Sequence, residues 1–148
     1  MKSKRKFEIQ KSVCSPLALG QHSFSSGIHC IRLRVEGNGV FLGIRSRNIL
    51  PVPFEFAYGR YDYSPSTYGW LGEYGRIING RFEGAHLKVV DRDKHVFALT
   101  LNCDEHRLSI LNENTKERDD FEVDIAHAPF PWCLFVQLSR STGRVSLV

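Results

Sequence analysis

The sequence lacks the pairs that clip a metal or staple a small secreted fold. Its four cysteines, Cys14, Cys30, Cys103 and Cys133, are widely separated and no C-x-x-C occurs. Three of them sit in apolar runs, where a free cysteine behaves as a small hydrophobe. No N-x-Ser/Thr sequon is present, and no apolar segment follows the basic start, since Phe7-Glu8-Ile9-Gln10-Lys11 is too polar for a signal peptide. No apolar run reaches the length of a membrane span. These absences lead to the expectation of a reducing compartment, the cytoplasm, with the nucleus as the alternative address, and of no membrane partner. Helical periodicity is nearly missing as well. Even Asn112 to Asp124, rich in helix formers, does not space its apolar residues by three and four.

A one-signed charge surface is also absent. The 20 Lys and Arg exceed the 16 Asp and Glu by four, and Lys2, Lys4, Arg5 and Lys6 account for the excess. The rest of the chain is neutral, which disfavours a nucleic acid as the partner. The expected organisation is a basic flexible tail over residues 1–6 and one domain over 7–148. A chain of 148 residues fits a single domain and buries about 68–70% of its unfolded surface without staples.

The missing chemistry is equally specific. There is no G-x-S-x-G elbow, P-loop or G-x-G-x-x-G opening a helix. The six histidines, His22, His29, His86, His95, His106 and His127, show no metal-ligand spacing. His29 and Cys30 alternate on a strand and so face opposite sides. Asp91-Arg92-Asp93 supplies too few oxygens for calcium and reads as a turn. Glu55, Asp62 and Glu73 form no paired-carboxylate pattern of the kind glycoside cleavage needs. The expectation is no enzyme, no cofactor and no metal.

What is present is a period of two. Ile28 to Val35 puts Ile31, Leu33 and Val35 on one face against Arg32 and Arg34. Gly37-Asn38-Gly39 breaks the chain, and Val40 to Ile44 resumes as a strand buried on both faces. The two are expected to form an antiparallel hairpin. His95 to Cys103 and Arg107 to Leu111 form a second pair around Asp104-Glu105-His106. Asn112 to Asp120 reads as a charged loop and Phe121 to Ile125 as an alternating strand. Trp132 to Leu138 and Arg144 to Val148 are the last strands, with Pro129 and Pro131 at the entry, where a missing N–H is tolerated. Many short strands without βα alternation predict an all-β sandwich.

Four stretches in order resemble the SPRY (B30.2) family. They are Phe24-Ser25-Ser26-Gly27 leading to Phe41-Leu42-Gly43-Ile44, then Tyr68-Gly69-Trp70, then Leu99-Thr100-Leu101-Asn102-Cys103-Asp104 with Arg107-Leu108-Ser109-Ile110, then Pro129-Phe130-Pro131-Trp132. The family usually has Asp where Asn102 stands, and its N-terminal extension is missing or reduced to about residues 7–20. The resemblance, closest in kind to the C-terminal module of tripartite-motif-like proteins, implies a bent β-sandwich of two antiparallel sheets of concanavalin-like type. It implies a non-catalytic protein- or peptide-binding module, such as the substrate-recruiting arm of a ubiquitin-ligase-like protein, and a monomeric module of a larger protein. A carbohydrate-binding, lectin-like sandwich with a glycan ligand is the alternative.

One surface feature stands out. Arg45 to Tyr68 lacks regular pattern, and Phe54 to Trp70 holds seven aromatics. Long irregular segments inside a domain tend to be functional. Tyr and Arg dominate binding hot spots, so the candidate partner-binding residues are Arg47, Tyr58, Arg60, Tyr61 and Tyr63. Arg140, in the 139–143 turn, is a candidate for a second wall. Tyr68, Trp70 and Trp132 are expected in the core.

Overall fold

Inward parity organises the strands in the computed structural model, which describes residues 6–7, 17–37, 39–51, 64–72, 75–84, 95–138 and 144–148. Strand β8 (His95–Asn102) buries Phe97, Leu99 and Leu101, and β9 (Arg107–Asn112) buries Leu108 and Ile110. The two pair as the expected hairpin, Leu99 opposite Ile110. The other strands are β1 (Lys6–Phe7), β2 (Leu17–Leu19), β3 (Ile28–Glu36), β4 (Val40–Ser46), β5 (Tyr68–Leu71), β6 (Gly75–Ile78), β7 (Arg81–Gly84), β10 (Arg118–Glu122), β11 (Trp132–Leu138) and β12 (Arg144–Leu147). Sheet I has the order β1-β12-β3-β8-β9-β10, and sheet II has β2-β11-β4-β5-β6-β7. All registered pairs are antiparallel. No helix among the described residues is long and apolar enough to cross a membrane.

The core lies between the sheets. Leu33, Val35, Phe97, Leu99 and Leu108 from sheet I meet Leu42, Ile44, Tyr68, Trp70, Trp132 and Leu134 from sheet II. Both tryptophans and Tyr68 are buried, as their motifs suggested. Each indole N–H is satisfied, Trp132 by the Ala128 carbonyl at 2.7 Å and Trp70 by Asp119 at 2.9 Å. Lys6, at the end of the expected tail, pairs with Ser146.

Two expectations are corrected. The Gly37–Gly39 turn does not close a hairpin. Strand β3 pairs with β12 and β8, whereas β4 pairs with β11 and β5, so the turn carries the chain from sheet I to sheet II. Gly37 and Gly39 adopt φ of 95° and 70°, which a side chain resists. A glycine turn specifies a reversal but not a partner. Every residue of β4 is buried, and a central place in sheet II gives it neighbours on both edges.

The charged loop, in turn, ends earlier than expected. Asn112 Oδ1 accepts the N–H groups of Asn114 and Thr115 at 3.0 and 3.3 Å, closing a short turn. Strand β10 then begins at Arg118, inside the charged run. Phe121 and Val123 are buried but Ile125 is exposed. Charge on such an edge strand discourages pairing with another chain.

Candidate partner-binding surface

Strands β4 and β11 run antiparallel and define two ends of sheet II, Ser46 with Trp132 at one and Val40 with Leu138 at the other. The aromatic-rich segment leaves β4 after Ser46 and re-enters the sheet at Tyr68. Both stems are tied to the scaffold. Ser46 N–H donates to Ser66 Oγ at 3.1 Å, Ser66 N–H to Asn79 Oδ1 at 2.8 Å, and Gly80 N–H to the Thr67 carbonyl at 2.9 Å.

Arg45 joins the two stems. It is fully buried on β4, its guanidinium donating to Thr67 Oγ1 and, at 3.1 Å, to the Ile49 carbonyl. The cation lies 5.6 Å from the centre of the Phe135 ring, and its Nε and the Ser46 hydroxyl have no partner among the described residues. Burial pulls its pKa down to about 10, the nearby Cys133 thiol acting slightly the other way. The sequence signal that could have found this residue is a single Arg directly after the apolar run Val40-Phe41-Leu42-Gly43-Ile44.

Arg47 is the one predicted partner-binding residue within the described part of the chain. It is half-buried, and its guanidinium is already engaged. It donates to Ser23 Oγ, to the Gly20 carbonyl and, at 3.1 Å, to the His22 carbonyl. Its N–H donates to the Pro131 carbonyl at 2.9 Å. Arg47 thus fastens segment 20–23 to the base of the aromatic loop. Tyr58, Arg60, Tyr61, Tyr63 and Arg140 lie outside the described residues. The stems of the turn that carries Arg140, Leu138 and Arg144, are at the Val40 end. Six residues of strand separate that end from Ser46, about 20 Å at the usual rise. The two expected walls are therefore rooted at opposite ends of the sandwich.

The described residues hold no group of three His, Cys, Asp or Glu side chains placed to bind a metal. Cys30, Cys103 and Cys133 are free thiols; the last two are buried, and burial pushes their pKa up. Cys30, by contrast, sits on the solvent face of β3. Among the described residues the nearest approach to a catalytic set is His127, whose Nδ1 lies 3.4 Å from Asp124 and 3.5 Å from the Tyr68 hydroxyl. Burial raises the Tyr68 pKa and works against a phenolate there.

No protein-family model matches the chain, and no curated sequence is significantly similar to it. Solved structures do match in shape. The TRIM65 PSpry domain superposes with a TM-score of 0.68 at 16% identity, over 89% of this chain and 68% of that one. The SPRY domain of human HERC1 gives 0.63 at 12%, over 92% and 82%. Peanut lectin solved with a 9-residue peptide gives 0.57 at 11%, over 97% and 80%. The fold is an SPRY-type, lectin-like β-sandwich.

Proposed function

We propose that this SPRY-type sandwich is a non-catalytic module that binds a protein or short peptide through its aromatic-rich segment. The observation that carries the reading is the bracing of that segment's two stems, through Arg45 to Thr67 and through Ser46 to Ser66 and Asn79. A binding loop on a rigid base loses less entropy on association. In this reading Tyr58, Arg60, Tyr61 and Tyr63 make the contact and Arg47 positions the base. The finer assignment, a substrate-recruiting arm of a ubiquitin-ligase-like protein in the cytoplasm, follows the family resemblance.

The test is quantitative affinity capture from native lysate with the wild type, Tyr61→Ala and Arg60→Ala side by side, each with a melting curve. The reading requires a partner that both variants lose at unchanged stability, and the finer assignment requires that partner to be ubiquitylated in the presence of the full-length protein. Loss of capture in step with loss of stability would make the loop scaffold. Binding on a glycan array, abolished by the same variants, would replace this reading with the lectin alternative.

A further inference from the structure

The outer face of sheet I carries a shallow trough of about 510 Å³ that the loop reading does not use. Its floor follows from strand register. Cys30, Thr100 and Ser109 stand directly opposite one another on β3, β8 and β9, and Ala98 and Leu111 form the next row. Ala98, Thr100, Ser109 and Leu111 alternate with buried core residues and so face outward, and Cys30, exposed on β3 opposite Thr100, shares their side. Small side chains at adjacent positions on three strands leave a depression. Longer ones bound it, the Arg32–Glu113 pair at 2.7 Å on one side and the Arg107–Asp120 pair at 3.2 Å on the other.

Three polar side chains of the trough are unspent, whereas its two carboxylates, Asp119 and Asp120, are held by Arg76 and Arg107. The Thr100 and Ser109 hydroxyls have no partner among the described residues. The same holds for the Arg118 guanidinium, which projects from β10 opposite Leu111. The two lining carboxylates, Asp119 and Asp120, are neutralised by Arg76 and Arg107, and Arg32 is neutralised by Glu113, so among the described residues Arg118 leaves the trough one uncompensated positive charge. Among the described residues no aromatic side chain lines it, so they offer no stacking platform of the kind that sugars and single-stranded bases use. Four strands across is about 14 Å, the span of roughly four extended residues. The volume falls in the range of about 300–1,000 Å³ usual for ligand sites.

We propose that this trough is a second docking site, for an extended peptide segment of a partner that places a carboxylate on Arg118 and small apolar side chains over Ala98 and Leu111. Peptide backbone groups meet the Thr100 and Ser109 hydroxyls. The site is independent of the aromatic loop, so the two readings fail separately.

The probe is an acetylated, amidated hexapeptide of alternating valine and glutamate, with the valine–lysine counterpart as control, titrated into the isotopically labelled 148-residue protein and followed by amide chemical shifts. Saturable shifts are expected on β3, β8, β9 and β10, for the glutamate peptide only. Arg118→Glu weakens that peptide by about tenfold or more and admits the lysine peptide. Ser109→Trp fills the trough and blocks both, while Tyr61→Ala leaves binding intact. If Ser109→Trp does not fold, the exposed Arg118→Glu variant decides alone. Absence of shifts at millimolar peptide, equal response to the lysine peptide, shifts confined to the 47–67 stems, or wild-type affinity in Arg118→Glu overturns the proposal.

Discussion

Asp119, on edge strand β10 of sheet I, accepts the indole N–H of Trp70 from sheet II at 2.9 Å. Arg76, also on sheet II, chelates the same carboxylate, with Nε at 2.6 Å and Nη2 on the second oxygen. Phe121 packs beside them, its ring 4.8 Å from that of Trp70. One carboxylate thus clips the open edge of the sandwich shut. Burial alone would raise the Asp119 pKa, but the hydrogen bonds from Arg76 and Trp70 and the guanidinium charge outweigh it and leave the pKa below its ordinary value.

The clip makes stability depend on acid. A carboxylate whose folded pKa is depressed contributes stability that is fully present above its unfolded value of about 3.9 and is lost as pH falls through the folded value. Urea denaturation between pH 2 and pH 7 is expected to show a steeper acid loss for the wild type than for Asp119→Asn. At neutral pH, Asp119→Ala leaves the Trp70 N–H and Arg76 without their acceptor and is expected to cost about 2–3 kcal/mol. Equal acid slopes in wild type and Asn variant would show that the clip contributes nothing.

Trp132→Ala empties a fully buried site under β11 and is expected to cost about 3–5 kcal/mol. Trp132→Phe keeps most of the packing and loses the bond to the Ala128 carbonyl, for about 1 kcal/mol plus a smaller cavity term. Urea midpoints at constant m-value give both numbers, and similar costs for the two variants would mean that the indole's volume is not what matters.

Gly43 and Gly69 face each other across β4 and β5 with the Phe41 ring lying over both. A Cβ on Gly69 would come 2.7 Å from Gly43 Cα and from Phe41 Cζ, and would also meet the Leu42 carbonyl oxygen. Two of those three atoms are backbone in the middle of a sheet and cannot step aside. Gly69→Ala is expected to abolish folding or to lower the melting temperature steeply, and truncating Phe41 in the same chain is expected to restore little. Gly20→Ala, which meets the Leu134 side chain at 3.1 Å, is the milder control. A folded Gly69→Ala protein with wild-type melting would refute the close approach of β4 and β5.

Arg45 separates stability from preorganisation. Replacing a buried cation by an apolar side chain of similar length removes its desolvation cost along with its bonds, so Arg45→Met is expected to change stability by less than about 1 kcal/mol. It unties Thr67 and Ile49 from β4, and partner capture is expected to fall while melting stays near wild type. Arg47→Ala releases segment 20–23, and limited proteolysis near Gly20 is expected to accelerate. Unaltered proteolysis would mean that the clamp does not hold that segment.

Local alternation was enough to place β3, β8 and β9, because which face of a strand is apolar is a property of that strand alone; β11 was legible as a continuous apolar run, and the burial of Tyr68 and Trp70 followed from the family resemblance. The role of Asp119 was half legible. It shares parity with the buried Phe121, while its neighbour Asp120 points outward to Arg107. Nothing local, however, shows that Trp70 and Arg76 wait on the opposite sheet. Tertiary structure alone decided that the chain changes sheets between β3 and β4, that Arg45 and Arg47 are spent inside the scaffold, and that the stems flanking Arg140 leave from the far end. The physical reason is common to all three. A strand's partner, and the acceptor that satisfies a long cationic side chain, are fixed by burying groups distant in sequence together, and no window of neighbouring residues contains that information.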